Sequence, residues 1–210
     1  MAWSATSRFD IEPAPTGLAL VQDLLNTAAA GPAPDLLSEV DSAEVWLSAA
    51  LAEWSSATGR PVAEVVLDAE ALQELRAFRD NLRGLITGAQ EPAPETVPDA
   101  EPESPSTAAR DGACDLPAGA AVLELAKDGS VYLRPQETGH EMLVTLVLAA
   151  LFEGQQTDKR RRLKTCRNPR CQVAFYDHSR NASGVWHSVR TCGNVSNLRA
   201  HRARRRTEQT

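Results

Sequence analysis

Cys166, Cys171, His187 and Cys192 stand at a C-x4-C-x15-H-x4-C spacing in the last quarter of a 210-residue chain. Two short-spaced pairs of thiolate and imidazole donors are what a structural zinc ion takes in a tetrahedron, and the ion supplies folding free energy to a segment too small for its own core. The spacing therefore predicts one structural Zn2+ site. Asn168-Pro169, inside the first pair, favours a turn that aims both sulfurs at one point. His178 and His201 stay open as alternatives to His187, although neither repeats the four-residue spacing. A disulfide framework fits less well: the clustered cysteines are three, an odd number, and nothing at the N-terminus resembles a signal peptide. Cys114 falls in a polar linker and reads as a free thiol.

The elements around these ligands must bring them together. Residues 173–176 and 185–187 read as two short strands joined by a polar turn through Ser179, Arg180, Asn181, Ser183 and Gly184. After Cys192-Gly193-Asn194 a helical pattern runs to Arg206. A metal-bound turn, a hairpin and a helix carrying the last ligand near its start make a compact, treble-clef-like finger.

Charge sets this segment apart. The whole chain carries a net −6, but residues 159–210 hold fourteen Lys or Arg against Asp177 and Glu208, a net +12, and residues 1–158 carry −18. Such a split marks a basic binding module on an acidic body, with a polyanion as the expected partner of the basic part. Arg160, Arg161, Arg162 and Lys164 precede the first ligand, and Arg199, Arg202, Arg204, Arg205 and Arg206 lie on the final helix. Arg199, Arg202 and Arg206 share one helical face and suit a row of phosphates. Asn194 and Asn197, near the helix start, are candidates for reading adenine or for capping the helix.

The finger resembles that of the bacterial CGNR zinc-finger proteins. The resemblance rests on the first Cys pair, Phe175-Tyr176-Asp177-His178-Ser179-Arg180-Asn181, Trp186-His187, and Cys192-Gly193-Asn194-Val195. Two residues depart from the family pattern: His187 stands where a third Cys is usual, within the Cys3His set that zinc accepts, and Val195 replaces the Arg that names the family. Such proteins usually carry an N-terminal domain called ABATE, marked by an Asn-Thr pair on an early helix, and Asp23-Leu24-Leu25-Asn26-Thr27 is similar to that mark. The resemblance implies a stress-responsive transcription regulator that binds DNA.

Ahead of the finger, 42% hydrophobic and only 5% aromatic content predicts an Ala- and Leu-rich helical core. Leu18, Val21, Leu24, Leu25 and Ala28 recur at helical spacing. A second helix begins after Asp41 or Ser42 with Val45, Trp46, Ala49, Ala50 and Trp54 and stops near Gly59. Pro61 suits the first turn of a third, whose stripe of Val65, Leu72, Leu75, Phe78, Leu82 and Leu85 runs to about Gly88. The Pro- and Glu-rich residues 89–113 read as a disordered or extended loop. Residues 121–126 and 130–134 flank Asp128-Gly129 and predict a hairpin packed on the helices. The apolar run 142–152 is too short to span a bilayer and reads as a buried helix or half of a dimer contact. The fold class is thus mainly α with a small β-hairpin (α+β): an N-terminal helical domain over 1–158 and a C-terminal treble-clef-like zinc finger over 159–210. Nothing in 1–158 names a ligand; a homodimer stays open, a membrane partner is not expected, and the expected location is cytoplasmic.

Three functions fit to different degrees. A non-enzymatic, zinc-dependent DNA-binding regulator, with the helical body sensing or dimerising, fits best. A protein-interaction module, its arginines meeting an acidic partner, is the alternative. An HNH-like nuclease would use Asp177-His178 beside the hairpin but lacks further metal ligands, and His187-Ser188-Val189 lacks the Glu a zinc deaminase needs.

Overall fold

The computed structural model describes residues 3–61, 65–88, 90 and 117–194. A single helical turn, α1 (Ser4–Ser7), precedes α2 (Leu18–Leu25), in which all eight residues are buried. The sequence pattern gives α2 one apolar face, yet α3 (Val40–Thr58), α4 (Ala69–Gly88), α5 (Gly139–Gln156) and α1 all pack on it, so it forms the axis of the domain. The core around it is aliphatic: Leu18, Leu20, Leu24, Leu25, Leu47, Leu75 and Leu143 are fully buried, with Trp46 as the largest side chain among them.

A central helix can carry polar residues only if each finds a partner, because an unpaired buried donor or acceptor costs about 1–3 kcal/mol. Asp23 accepts hydrogen bonds from the Thr6 amide at 2.7 Å and from Trp46 Nε1 at 2.8 Å. Burial pushes the Asp23 carboxyl above its ordinary pKa, against the pull of these two bonds. Arg79 on α4 is buried and donates to Asp35 at 2.7 Å and to Thr27 Oγ1 at 3.2 Å.

Two of the predicted helices shift. Pro61 is not in the first turn of α4; the helix begins at Ala69, after Asp68 turns its carboxylate back onto the Ala71 amide at 2.8 Å, the bonding pattern of an N-cap. The α4 stripe ends on Ile86, which is 2% exposed, whereas Leu85 is 57% exposed: from Leu75, Leu82 and Ile86 follow one face at seven- and four-residue steps. In α5 the run from Met142 to Leu151 is largely buried, but Phe152 points outward at 59% exposed.

Two antiparallel hairpins complete the described residues. Strands β1 (Ala121–Leu125) and β2 (Val131–Pro135) pair around Asp128-Gly129 as expected, and β2 packs against α5. Strands β3 (Leu163–Thr165) and β4 (Ala174–Tyr176) pair with Lys164 opposite Phe175. This corrects the sequence reading of the finger. Residues 174–176 pair with the strand upstream of the first ligand, and no strand forms over 185–187. The Cys166 amide extends this ladder to the Val173 carbonyl at 2.9 Å and the Asp177 amide extends it to the Arg162 carbonyl at 2.8 Å, so the ladder edge of β4 is taken by the upstream strand and not by 185–187.

The free side of β4 meets α2. Asn26 accepts a hydrogen bond from the Ala174 amide at 2.8 Å and donates one to the Ala174 carbonyl at 2.9 Å, and Gln22 Nε2 reaches the same carbonyl at 3.4 Å. One carboxamide thus satisfies both backbone groups of a fully buried residue, and the finger is docked on the helical body through it. Asn26→Ala leaves the Ala174 amide unpaired and its carbonyl with only the 3.4 Å bond from Gln22, and is expected to destabilise the chain by about 1–3 kcal/mol in urea unfolding; a loss below about 0.5 kcal/mol would show that the clasp is dispensable.

Candidate metal centre

Cys166 follows β3 directly, and its amide bonds the Val173 carbonyl at 2.9 Å, extending the hairpin by one pair. The intervening turn is built on Asn168, whose carbonyl accepts from the Cys171 amide at 2.8 Å and from the Gln172 amide at 3.3 Å. Its side-chain amide donates to Cys192 Sγ at 3.4 Å. The Arg167 amide bonds the Val185 carbonyl at 3.0 Å, which draws the second ligand pair over the first. Beyond His187, Ser188 opens one wide helical turn, Val189–Gly193; its hydroxyl accepts from the Thr191 amide at 3.3 Å and its carbonyl from the Cys192 amide at 3.0 Å. Gly193, the last residue of this turn, packs closely, since a Cβ there would lie 3.1 Å from Trp186 Cδ1 and 3.3 Å from Val189 Cγ1.

The result brings together the four residues that the spacing singles out. The donor atoms of Cys166, Cys171, His187 and Cys192 all lie within 4.8 Å of one another. Nδ1 of His187 is 3.3 Å from Cys171 Sγ and 3.7 Å from Cys192 Sγ. A tetrahedron with Zn–S of about 2.3 Å and Zn–N of about 2.0 Å has S···N edges of about 3.5 Å, so the donor set fits a zinc ion with His187 presenting Nδ1. The thiols also share protons: the bond from Cys171 holds the Cys166 pKa down to about 4 despite burial, and Cys171, keeping its proton, is pushed well up. No cysteine among the described residues is in a disulfide. His178 is not in the cluster; its ring packs edge-on against Tyr176 and its Nε2 faces Glu12 at 3.7 Å. His201 and Cys114 lie outside the described residues.

Residues 162–205 match the family model of the CGNR zinc finger. The match covers the finger alone and does not extend to the helical body with its Asn26-Thr27 pair. No curated protein matches the chain significantly.

The finger has a second clamp, centred on Asp177. Asp177 is buried and accepts from Lys164 Nζ at 2.7 Å, the Ser179 amide at 2.9 Å and the Gly184 amide at 2.6 Å. A Cβ on Gly184 would strike the Asp177 carboxylate at 2.9 Å, so only glycine lets the loop close on it. Burial alone would raise the Asp177 pKa, but Lys164 and the bonds from Ser179 and Gly184 outweigh it and hold the carboxyl well below its ordinary range. A depressed folded-state pKa makes this pair stabilising at all pH values above about 4, with the stabilisation lost only as pH falls further.

Two of the basic residues singled out as nucleic-acid contacts are therefore committed inside the finger. Lys164 also donates to the Ala182 and Gly184 carbonyls, and its side chain is 12% exposed. Arg162 donates to the Asp177 carbonyl at 2.9 Å, the Ser179 carbonyl at 2.6 Å and the Arg180 carbonyl at 3.3 Å. Arg160 is half-buried, Arg161 is exposed and paired with Asp158 at 2.7 Å, and Asn194 is exposed. Asn197, Arg199, Arg202, Arg204, Arg205 and Arg206 lie outside the described residues. Arg167, Arg170, Arg180 and Arg190 are exposed around the ligand turns. These four are not among the contacts expected from the sequence, although each lies within four residues of a ligand or in the turn between the pairs.

His187→Ala is expected to lower bound zinc from one ion to well under one per chain, with His178→Ala unchanged, when metal is counted by mass spectrometry of the native protein; the reverse pattern would reassign the ligand. Lys164→Met leaves a buried carboxylate unpaired and should cost about 3 kcal/mol at neutral pH in urea unfolding of the zinc-loaded chain. A neutral effect would mean that the loop, rather than the ion pair, holds the turn.

Proposed function

We propose that the finger is a zinc-ordered DNA-binding element and that the chain is a non-enzymatic transcription regulator. The observation that carries this reading is the sign of the surface. Asp177 is the sole acidic residue in 159–194, and it is buried against Lys164, so the charged side chains this segment exposes are cationic or histidine. Arg167, Arg170 and Arg190 stand on the turns that carry the metal ligands and Arg180 on the loop held by Asp177, and the net +12 of residues 159–210 adds the five arginines of the C-terminal stretch. Cations held on a rigid frame suit a polyanionic backbone, and a zinc ion supplies that rigidity in place of a hydrophobic core. When bound, zinc would be held by Cys166, Cys171, His187 and Cys192 and would act structurally, with all four positions taken by protein. The other support is the CGNR match itself, which covers 162–205. The helical body, which resembles an ABATE domain at Asn26-Thr27, is the part proposed to sense or dimerise, and its −18 charge opposes indiscriminate binding.

The bonds of Asp177 to Lys164 and two backbone amides count against its use as half of a nuclease pair with His178. The protein-interaction alternative is favoured by one observation, the acidity of residues 1–158, which offers a second copy of the chain as a partner. Both remaining readings are separated by one experiment. Binding of the full zinc-loaded chain to a mixed-sequence duplex, followed by fluorescence anisotropy across a salt series, should weaken linearly in log–log form. The double variant Arg170→Ala/Arg190→Ala should flatten that slope by about 2 with the oligomeric state unchanged. An unaltered slope together with loss of self-association would favour the interaction module.

A further inference from the structure

A cavity of about 540 Å³ opens between the end of α3, strand β2 and the first turns of α5, away from the metal ligands. A smaller one of about 210 Å³ adjoins it, sharing Trp54, Arg60, Leu133 and Leu146 as walls. Volumes of this size suit a small organic molecule. The lining is largely apolar, with Trp54, Met142 and Leu146 buried and the Tyr132 ring at one side.

The charges of the cavity are unequal in what they have to bond. Glu124 pairs with Arg134 at 2.7 Å. Glu137 accepts from the Ala120 amide at 2.6 Å and from Thr145 Oγ1 at 3.0 Å. Glu153, on the smaller lobe, is exposed and forms no ion pair with Arg60. Arg60 differs: its guanidinium lies 5.3 Å from the Tyr132 ring centroid, its Nε is buried without a hydrogen-bond partner, and no acidic side chain among the described residues pairs with it. The ring face orients a guanidinium without satisfying its N–H groups. A buried donor left unmet is costly, and a carboxylate is the acceptor that matches the guanidinium fork.

From this geometry we infer that the cavity is a binding site for a small organic carboxylate with a flat apolar body. The carboxylate pairs with Arg60, and the body lies between Trp54, Tyr132, Met142 and Leu146. The Glu124 and Glu137 carboxylates, already satisfied, stand on the wall and disfavour a second negative charge on the ligand. The site belongs to the helical body and is independent of what the finger binds.

The test is isothermal titration of the full zinc-loaded chain with 2-naphthoate and with the uncharged 2-naphthamide. Naphthoate is expected to bind saturably and at least about tenfold more tightly than the amide. Arg60→Met, which keeps the side-chain stem and removes the donors, should abolish that preference, and Leu146→Trp, which fills the cavity, should weaken both probes. Should Arg60→Met fail to fold by circular dichroism, Arg60→Lys replaces it and is expected to weaken naphthoate while leaving the amide unchanged. Equal affinity of the two probes, no saturable binding of naphthoate at about millimolar concentration, or a preference that survives the Arg60 substitution would overturn the assignment.

Discussion

The hydrogen-bonded pair between the Asn26 carboxamide and the backbone of Ala174 is the constraint on which the arrangement of this chain depends. Strand β4 has one edge satisfied by β3; the other would face the helical core with unpaired groups. Asn26 supplies one donor and one acceptor in the spacing of a backbone partner, so it acts as a substitute strand at a single position. A carboxamide is fixed in orientation when both ends are bonded, and this sets the register of the finger on α2. The neighbouring polar residues follow the same rule: Asp23 is tied to Thr6 and Trp46, and Thr27 to Arg79. A helix buried on all sides keeps these residues because each has a specific partner, and the bonds limit the helix to one way of packing.

Beyond that docking point, the finger is held at two clusters by different chemistry. In one, three sulfurs and one imidazole converge, an arrangement whose negative charge calls for a cation. In the other, Asp177 gathers Lys164 and two loop amides around its buried carboxylate. Between them run the short strands β3 and β4, whose Leu163 and Ala174 join the core of the helical body. Asp177, Lys164 and Arg162 are turned inward and Arg167, Arg170, Arg180 and Arg190 outward, so the stabilising and the displaying charges of the finger are separate sets of residues.

Much of this was legible in the sequence. The ligand set, the β1–β2 hairpin and the helical character of α2 to α5 follow from spacing and periodicity alone. What was not legible depended on partners distant in sequence. The pairing of β4 with residues 163–165 was hidden because strand propensity does not name a partner. Lys164 looked like one more cation in a basic run, and only the fold shows that Asp177 lies beneath it. Asn26 could be recognised by its resemblance to a family mark, but its job, bonding a strand 148 residues away, has no local signal. The start of α4 was misplaced because Pro61 and Asp68 are both good opening residues, and the Asp68 carboxylate reaching Ala71 decides between them.

Joined at Asn26, the finger and the helical body form one cooperative unit, with zinc ordering the ligand turns. Urea unfolding of the zinc-loaded chain tests this directly when followed by two probes at once: the far-ultraviolet helical signal, which reports the body, and zinc released to a chromophoric chelator, which reports the finger. Coincident transitions are the predicted result. Zinc release complete before the helical signal begins to fall would contradict it, and would make the finger a separately folding module that merely touches α2.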